Sequence, residues 1–149
     1  MNVETYLAKL NALNPLSVGL QSYLKTIAEI IFCQKGQKLY TSETASYFFP
    51  LLLSGAVKTN CFAGKKRIGL LQELTYSPND FVNHLCCWGA FSEDKFYLEI
   101  MEDCEIMGIS EKHYASILKH FPDAYKLGLK FSELHYMHLL NIINDNKHL

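Results

Sequence analysis

Three observations predict an α+β fold with an antiparallel β core. The first thirty residues carry helical spacing of apolar side chains. Short apolar runs separated by turn residues fill 29–110, and helical spacing returns from 111 to the end. Helices before and after an unbroken block of strands exclude an alternating α/β fold. The 149 residues support one domain (1–149), divided into N-terminal helices (1–28), a β block (29–110) and C-terminal helices (111–149).

The elements follow in order. Asn2 is placed to cap a short helix through Leu10, with Tyr6, Leu7 and Leu10 on one face. Asn14-Pro15 breaks it, and Ser17 caps a second helix carrying Leu20, Leu24, Ile27 and Ala28. Strands are expected at Ile30 to Cys33, Lys38 to Tyr40, Tyr47 to Leu53, Ala56 to Phe62, Arg67 to Leu74, Lys95 to Met101 and Glu105 to Ile109. Their turns fall at Gln34-Lys35-Gly36, Ser54-Gly55, Gly64-Lys65-Lys66, Ser77-Pro78-Asn79-Asp80 and Glu102-Asp103. Short strands at near-regular spacing point to a sandwich or barrel. Ser110 is placed to cap a helix from Glu111 to His120, and Phe121-Pro122-Asp123 introduces a longer one from Ala124 to Asn144.

That last helix has two apolar stripes. Leu127, Phe131, Leu134 and Ile142 fall near one side, and Leu129, Tyr136, Leu139, Leu140 and Ile143 near the other. Two stripes need two covers. One is the β core, and the expected second is the same helix of another subunit, making a homodimer.

Composition excludes several functions. A net charge of -1 leaves no basic face for direct nucleic-acid binding. The most apolar stretch, Tyr47 to Val57, has about half the roughly 20 residues of a membrane span, and Pro50 interrupts it. Met1-Asn2-Val3-Glu4 lacks a basic start and a long apolar run, so no secretory signal is expected and the chain reads as cytoplasmic. Five irregularly spaced cysteines (Cys33, Cys61, Cys86, Cys87, Cys104) fit reduced thiols better than a disulfide framework.

Several segments together resemble the cyclic-nucleotide-binding domain of Crp/Fnr-type bacterial regulators. These are Phe32-Cys33-Gln34-Lys35-Gly36-Gln37, Leu52-Leu53-Ser54-Gly55-Ala56-Val57, Gly64-Lys65-Lys66, Pro78-Asn79-Asp80-Phe81, and Asp103-Cys104-Glu105-Ile106 to Ile109-Ser110. The helix pair around Phe121-Pro122 also fits, so the resemblance covers nearly the whole chain. It implies an eight-stranded antiparallel β roll, jelly-roll-like, flanked by helices and ending in a long dimerisation helix.

The family's ligand cassette carries Gly-Glu after the Phe and later an Arg before a small residue. The Glu accepts from the ribose hydroxyl, while the Arg and backbone N–H groups hold the phosphate. Here Phe81-Val82 is followed by Asn83-His84, and Asp94 occupies the Arg position with Lys95 beside it. A carboxylate facing a phosphate is repulsive. Leu139 and Leu140 stand where cAMP-dependent members present hydroxyls to the adenine. The resemblance therefore implies a pocket lined by Phe81, Asn83, His84, Leu85, Asp94, Lys95, Leu139 and Leu140 that does not bind cAMP in the usual way. An unidentified small-molecule effector is the expected ligand, if any. Crp/Fnr regulators continue into a helix-turn-helix domain, and Leu149 lies about where it would begin. The chain is thus expected either to lack a DNA reader or to be the effector half of a regulator whose reader is removed or supplied by a partner.

Other constellations are weaker. His84-Leu85-Cys86-Cys87 has metal- and thiol-bearing residues, but adjacent cysteines serve one tetrahedral site poorly, and a buried apolar loop beside Trp88 is the simpler reading. His135 and His138 share a helix face and read as flanking polar residues, and His113 and His120 as solvent-facing. A metal-dependent cupin enzyme needs His-x-His on a strand, which is absent. Phosphate-cradling Gly-rich loops and catalytic Ser motifs are absent as well. The expectation is a dimeric sensory module with no cofactor, no metal, no membrane association and no enzymatic activity.

Overall fold

The computed structural model describes residues 2–40, 47–63, 66–67, 75–82 and 96–146. Helices α1 (Asn2–Leu13) and α2 (Val18–Ile27) come first. Strands β1 (Glu29–Cys33), β2 (Lys38–Tyr40), β3 (Tyr47–Ser54), β4 (Val57–Ala63), β5 (Lys66–Arg67), β6 (Thr75–Tyr76), β7 (Phe96–Ile100) and β8 (Cys104–Ser110) follow. Helices α3 (Glu111–His120) and α4 (Asp123–Asn146) complete the described chain. The order of helices, strands and helices is the expected one, and among the described residues every strand pairing is antiparallel.

Local chemistry sets the helix ends. Ser17 has extended φ/ψ, and its hydroxyl accepts from the Leu20 N–H at 3.2 Å, as its cap role requires. The Ser17 N–H in turn donates to the Asp123 carboxylate at 2.8 Å, joining the starts of α2 and α4. Two caps differ from expectation. Asn2 lies inside α1, which runs past Leu10 to Leu13 because the Asn14 N–H still reaches the Leu10 carbonyl at 3.1 Å. Ser110 has cap-like φ/ψ, yet its hydroxyl makes no cap bond and is buried without a hydrogen-bond partner among the described residues. α4 begins at Asp123 and reaches Asn146, slightly beyond both expected ends. Of the strand expected over Arg67 to Leu74, Arg67 ends β5 and residues 68–74 lie outside the described residues.

Two sheets form. One has the order β1-β8-β3, and the other β2-β7-β4-β5, with β6 also pairing with β4. The late strand β8 thus sits between two early ones. Both faces of β1-β8-β3 are covered, and side-chain alternation sorts its residues. Leu51, Met107 and Ile109 pack with Leu10, Leu20, Leu24, Leu127 and Phe131 on the helix side. Leu52, Cys104 and Ile106 pack with Val57, Tyr76, Val82, Leu98 and Ile100 on the strand side. Lys58 and Glu99 are register partners on β4 and β7 and form a 3.3 Å ion pair.

Of the inner stripe of the last helix, Leu127 and Phe131 are buried and Leu134 packs against the same cluster, while the side chain of Ile142 lies outside the described part. His113 corrects the sequence reading. It is half-buried, with Tyr23 edge-on at 6.4 Å, because the Tyr23 side chain reaches from α2 to α3, where its hydroxyl lies 3.3 Å from that of Ser116. His120 is exposed. No helix among the described residues is long and apolar enough to cross a membrane.

Candidate functional site

The base of the expected ligand loop is built on β3. Pro50 follows Phe49, whose φ of +53° is unusual for a non-glycine residue, and the β3–β8 register slips between Phe48 and Leu51. A bulge of this kind re-aims side chains. Here it leaves Phe49 buried against helix rings, 5.3 Å from Phe131 and 5.6 Å from Tyr114, both nearly perpendicular. Phe48 stacks flat on Tyr114 at 3.9 Å.

The segment after β6 is then laid onto β3. The Asn79 N–H donates to the Leu52 carbonyl at 2.7 Å, the Leu52 N–H to the Asp80 carbonyl at 2.9 Å, and the Val82 N–H to the Pro50 carbonyl at 2.9 Å. Asp80 closes the turn by accepting from the Ser77 N–H at 2.8 Å. Asn79 takes a φ of +75°, which the short Asn side chain tolerates. An isolated bridge pairs Phe81 with Leu51. Phe81 and Val82 then face opposite clusters, Phe81 the helix side and Val82 the strand side.

Phe81 meets Phe131 of α4 at 5.3 Å and 78°, an edge-to-face contact. The ring of the anchored segment therefore rests on a ring in the first half of the long helix. Phe49 and Phe81 both present to Phe131, so the β3 bulge, the loop base and α4 share one aromatic junction. The sequence marked Phe131 by its helical stripe and Phe81 by its motif. It gave no sign of Phe49, whose position depends on the bulge.

Of the eight expected pocket residues, Phe81 has a described side chain, and it packs in the core with 7% exposure. Asn83, His84, Leu85, Asp94 and Lys95 lie outside the described residues, as do Cys86, Cys87 and Trp88. Leu139 and Leu140 fall on α4, with their side chains outside the described part. Of the outer stripe, Leu129 is 60% exposed, while Tyr136, Leu139, Leu140 and Ile143 lie on α4 with side chains likewise undescribed. Tyr125 and Met137 of the same helix are also exposed.

A second feature lies at the far end of the β1-β8-β3 sheet. Cys33 and Cys104 face each other across β1 and β8, and both are free and buried. Hydrogen bonding from Cys104 draws the Cys33 thiol below its ordinary value of 9.0, against burial, which raises it. The same bond pushes Cys104 up, helped by burial and by the charges of Cys33 and Asp103. Among the described residues no group of three or more His, Cys, Asp or Glu is placed to hold a metal ion.

The architecture matches solved structures. A cyclic nucleotide-binding domain from Methylobacillus flagellatus superposes with a TM-score of 0.70 at 12% identity, covering 96% of this chain and 83% of that one. A protein assigned to the Crp/Fnr family of transcriptional regulators, from Eubacterium rectale, gives 0.65 at 13% identity, covering 88% of this chain and 60% of that one. A CooA mutant from Carboxydothermus hydrogenoformans gives 0.57 at 21% identity, covering 89% and 82%. The chain thus has the fold shared by Crp/Fnr regulators and cyclic nucleotide-binding domains, and spans about three fifths of the Eubacterium protein. No protein-family model matches the sequence, and no curated protein matches it.

Proposed function

We propose that the chain is a regulatory effector-binding module of the Crp/Fnr type that acts as a homodimer through α4 and does not bind cAMP in the usual way. Its β strands form the eight-stranded roll of that family, and its role is binding rather than catalysis. The observation that carries this reading is the edge-to-face contact of Phe81 with Phe131 at 5.3 Å. A ligand that changes the 83–95 segment pulls on Phe81, and Phe81 bears on the helix whose other face offers Leu129 to a second subunit. Occupancy at the loop is then read as dimer geometry. The departures at Asn83, His84 and Asp94 support the exclusion of cAMP, because the first two replace the sugar-binding pair and the third sets a carboxylate where the phosphate would lie.

Calorimetry with cAMP and cGMP tests the ligand. No binding in the micromolar range is expected, and micromolar affinity for either would overturn that half of the reading. Sedimentation at tens of micromolar tests the dimer, and a monomer there would overturn the other half. Trp88, the single tryptophan, falls within 83–95 in the sequence and serves as a fluorescence reporter for effector screening.

A second reading has support in the comparisons. This chain covers 60% of the Eubacterium regulator, so it corresponds in extent to the effector portion of a longer protein. DNA binding then belongs to another segment or a partner. Coding sequence of helix-turn-helix pattern following Leu149 in the gene would decide for this alternative.

A further inference from the structure

We propose that Cys33 and Cys104 are a peroxide-responsive dithiol that closes into a cross-strand disulfide. The proposal is independent of any effector at the loop.

The geometry comes from strand register. Cys33 and Cys104 are direct Cα partners at the end of the β1–β8 ladder. Directly opposed residues in an antiparallel pair have Cα atoms about 4.5 or 5.5 Å apart. Both separations lie within the roughly 4.4–6.8 Å that a disulfide spans. The Cβ atoms need to approach by only about 1 Å. Both side chains belong to the one buried cluster on the strand side of the sheet.

Access is narrow but real. Cys33 is 3% and Cys104 4% exposed, yet both line one surface pocket of about 390 Å³. Gln34, Asp103 and Glu105 line it too. Nearly buried sulfurs select a small oxidant, and two carboxylates on the wall disfavour an anionic one such as glutathione disulfide. A neutral hydroperoxide satisfies both conditions.

The Cys33 thiolate attacks a peroxide oxygen of ROOH, the O–O bond breaks, and the alkoxide leaves with the proton that Cys33 has lost. Cys33 is then a sulfenic acid. Cys104 attacks that sulfur, the S–S bond forms, the S–O bond breaks, and hydroxide leaves as water with the Cys104 proton. Two thiols give two electrons, and ROOH becomes ROH and water. A small thiol reverses the step by exchange and is itself oxidised to its disulfide. Cys33 is the natural first nucleophile because it receives the hydrogen bond, and Cys104 resolves.

Closure has a mechanical path outward. Gly55, in the turn between β3 and β4, has φ +89°, and a Cβ there would stand 2.6 Å from the Cys104 Cβ and 2.5 Å from the Asp103 carbonyl oxygen. With the turn seated this tightly on Cys104, a shift of that residue moves the β3–β4 turn as well.

The test uses the full chain, reduced, then treated with hydrogen peroxide, alkylated and mapped by mass spectrometry without reduction. The expected result is a Cys33–Cys104 linked peptide within one chain, removed by dithiothreitol, with both thiols lost in step. The Cys104→Ser variant should trap a sulfenic acid at Cys33, captured by dimedone. In Cys33→Ala, loss of the Cys104 thiol should slow at least about tenfold. A triple variant, Cys61→Ser with Cys86→Ser and Cys87→Ser, should keep the linkage. If Cys33 and Cys104 stay free to alkylate in folded wild-type protein, or oxidise separately without a link, the proposal is overturned.

Discussion

The two faces of the β1-β8-β3 sheet are packed by different means. On the helix side the cluster is rich in large rings, with Tyr6, Phe49, Phe81 and Phe131 joined by leucines from α1 and α2. On the strand side the buried residues include Cys33, Cys104, Val57 and Val82, and the backbone itself comes close, at Gly55. Rings that meet edge to face hold many contacts through a few large side chains, so displacement of one is felt by the others. Close backbone packing holds by excluding volume, so it resists any added atom. The helix side is therefore suited to passing a displacement from the loop to α4, and the strand side to holding two thiols in register.

The largest way to break this contrast is Phe131→Ala. It removes the ring shared by Phe49 and Phe81 and should cost about 3–5 kcal/mol, measured by urea unfolding. A loss below about 1 kcal/mol would show that the junction is slack and carries no displacement. On the opposite face, Gly55→Ala should cost about 1–3 kcal/mol, because the new methyl meets backbone and the φ is left-handed. A neutral result in the same assay would show that the turn yields freely.

Tyr6→Phe sharpens the comparison at smaller scale. The Tyr6 hydroxyl is fully buried and has no hydrogen-bond partner among the described residues. Removing it should leave stability at neutral pH unchanged or raise it by about 1 kcal/mol. Burial pushes the Tyr6 hydroxyl well above its ordinary value of 10.0. Above pH 10 the unfolded chain releases this proton and the folded chain keeps it, so stability falls as pH rises. Unfolding curves across that range should show wild type losing ground to Tyr6→Phe, and parallel curves would refute the assignment. Leu129→Glu should have the smallest effect on protomer stability, within about 0.5 kcal/mol, because that residue is 60% exposed. Sedimentation should nonetheless show the proposed dimer dissociating, whereas a dimer unchanged from wild type would remove Leu129 from any interface.

Much of the fold was legible in the chain because local chemistry determines it. Ser17 declares a helix start through its hydroxyl, and the spacing of Leu127 and Phe131 declares a buried face. Turn residues at Gly36 and Gly55, both with positive φ, mark where strands must end. Ser110 shows the limit of such reading. It stands at a cap position with the right backbone angles, yet makes no cap bond, since burial and not propensity determines its surroundings. The expected pocket was legible only as a motif, and of its residues the described side chain of Phe81 faces the core.

By itself the sequence determined the order of elements and the buried face of the last helix, because each depends on residues within a few positions of one another. Tertiary structure decided that β8 runs between β1 and β3, that a bulge at Phe49 completes an aromatic junction with Phe81 and Phe131, and that Cys33 meets Cys104. The two cysteines are 71 positions apart, and nothing local announces their pairing. Register between distant strands depends on how both faces of a sheet are buried at once, a property of the packed chain and not of any segment.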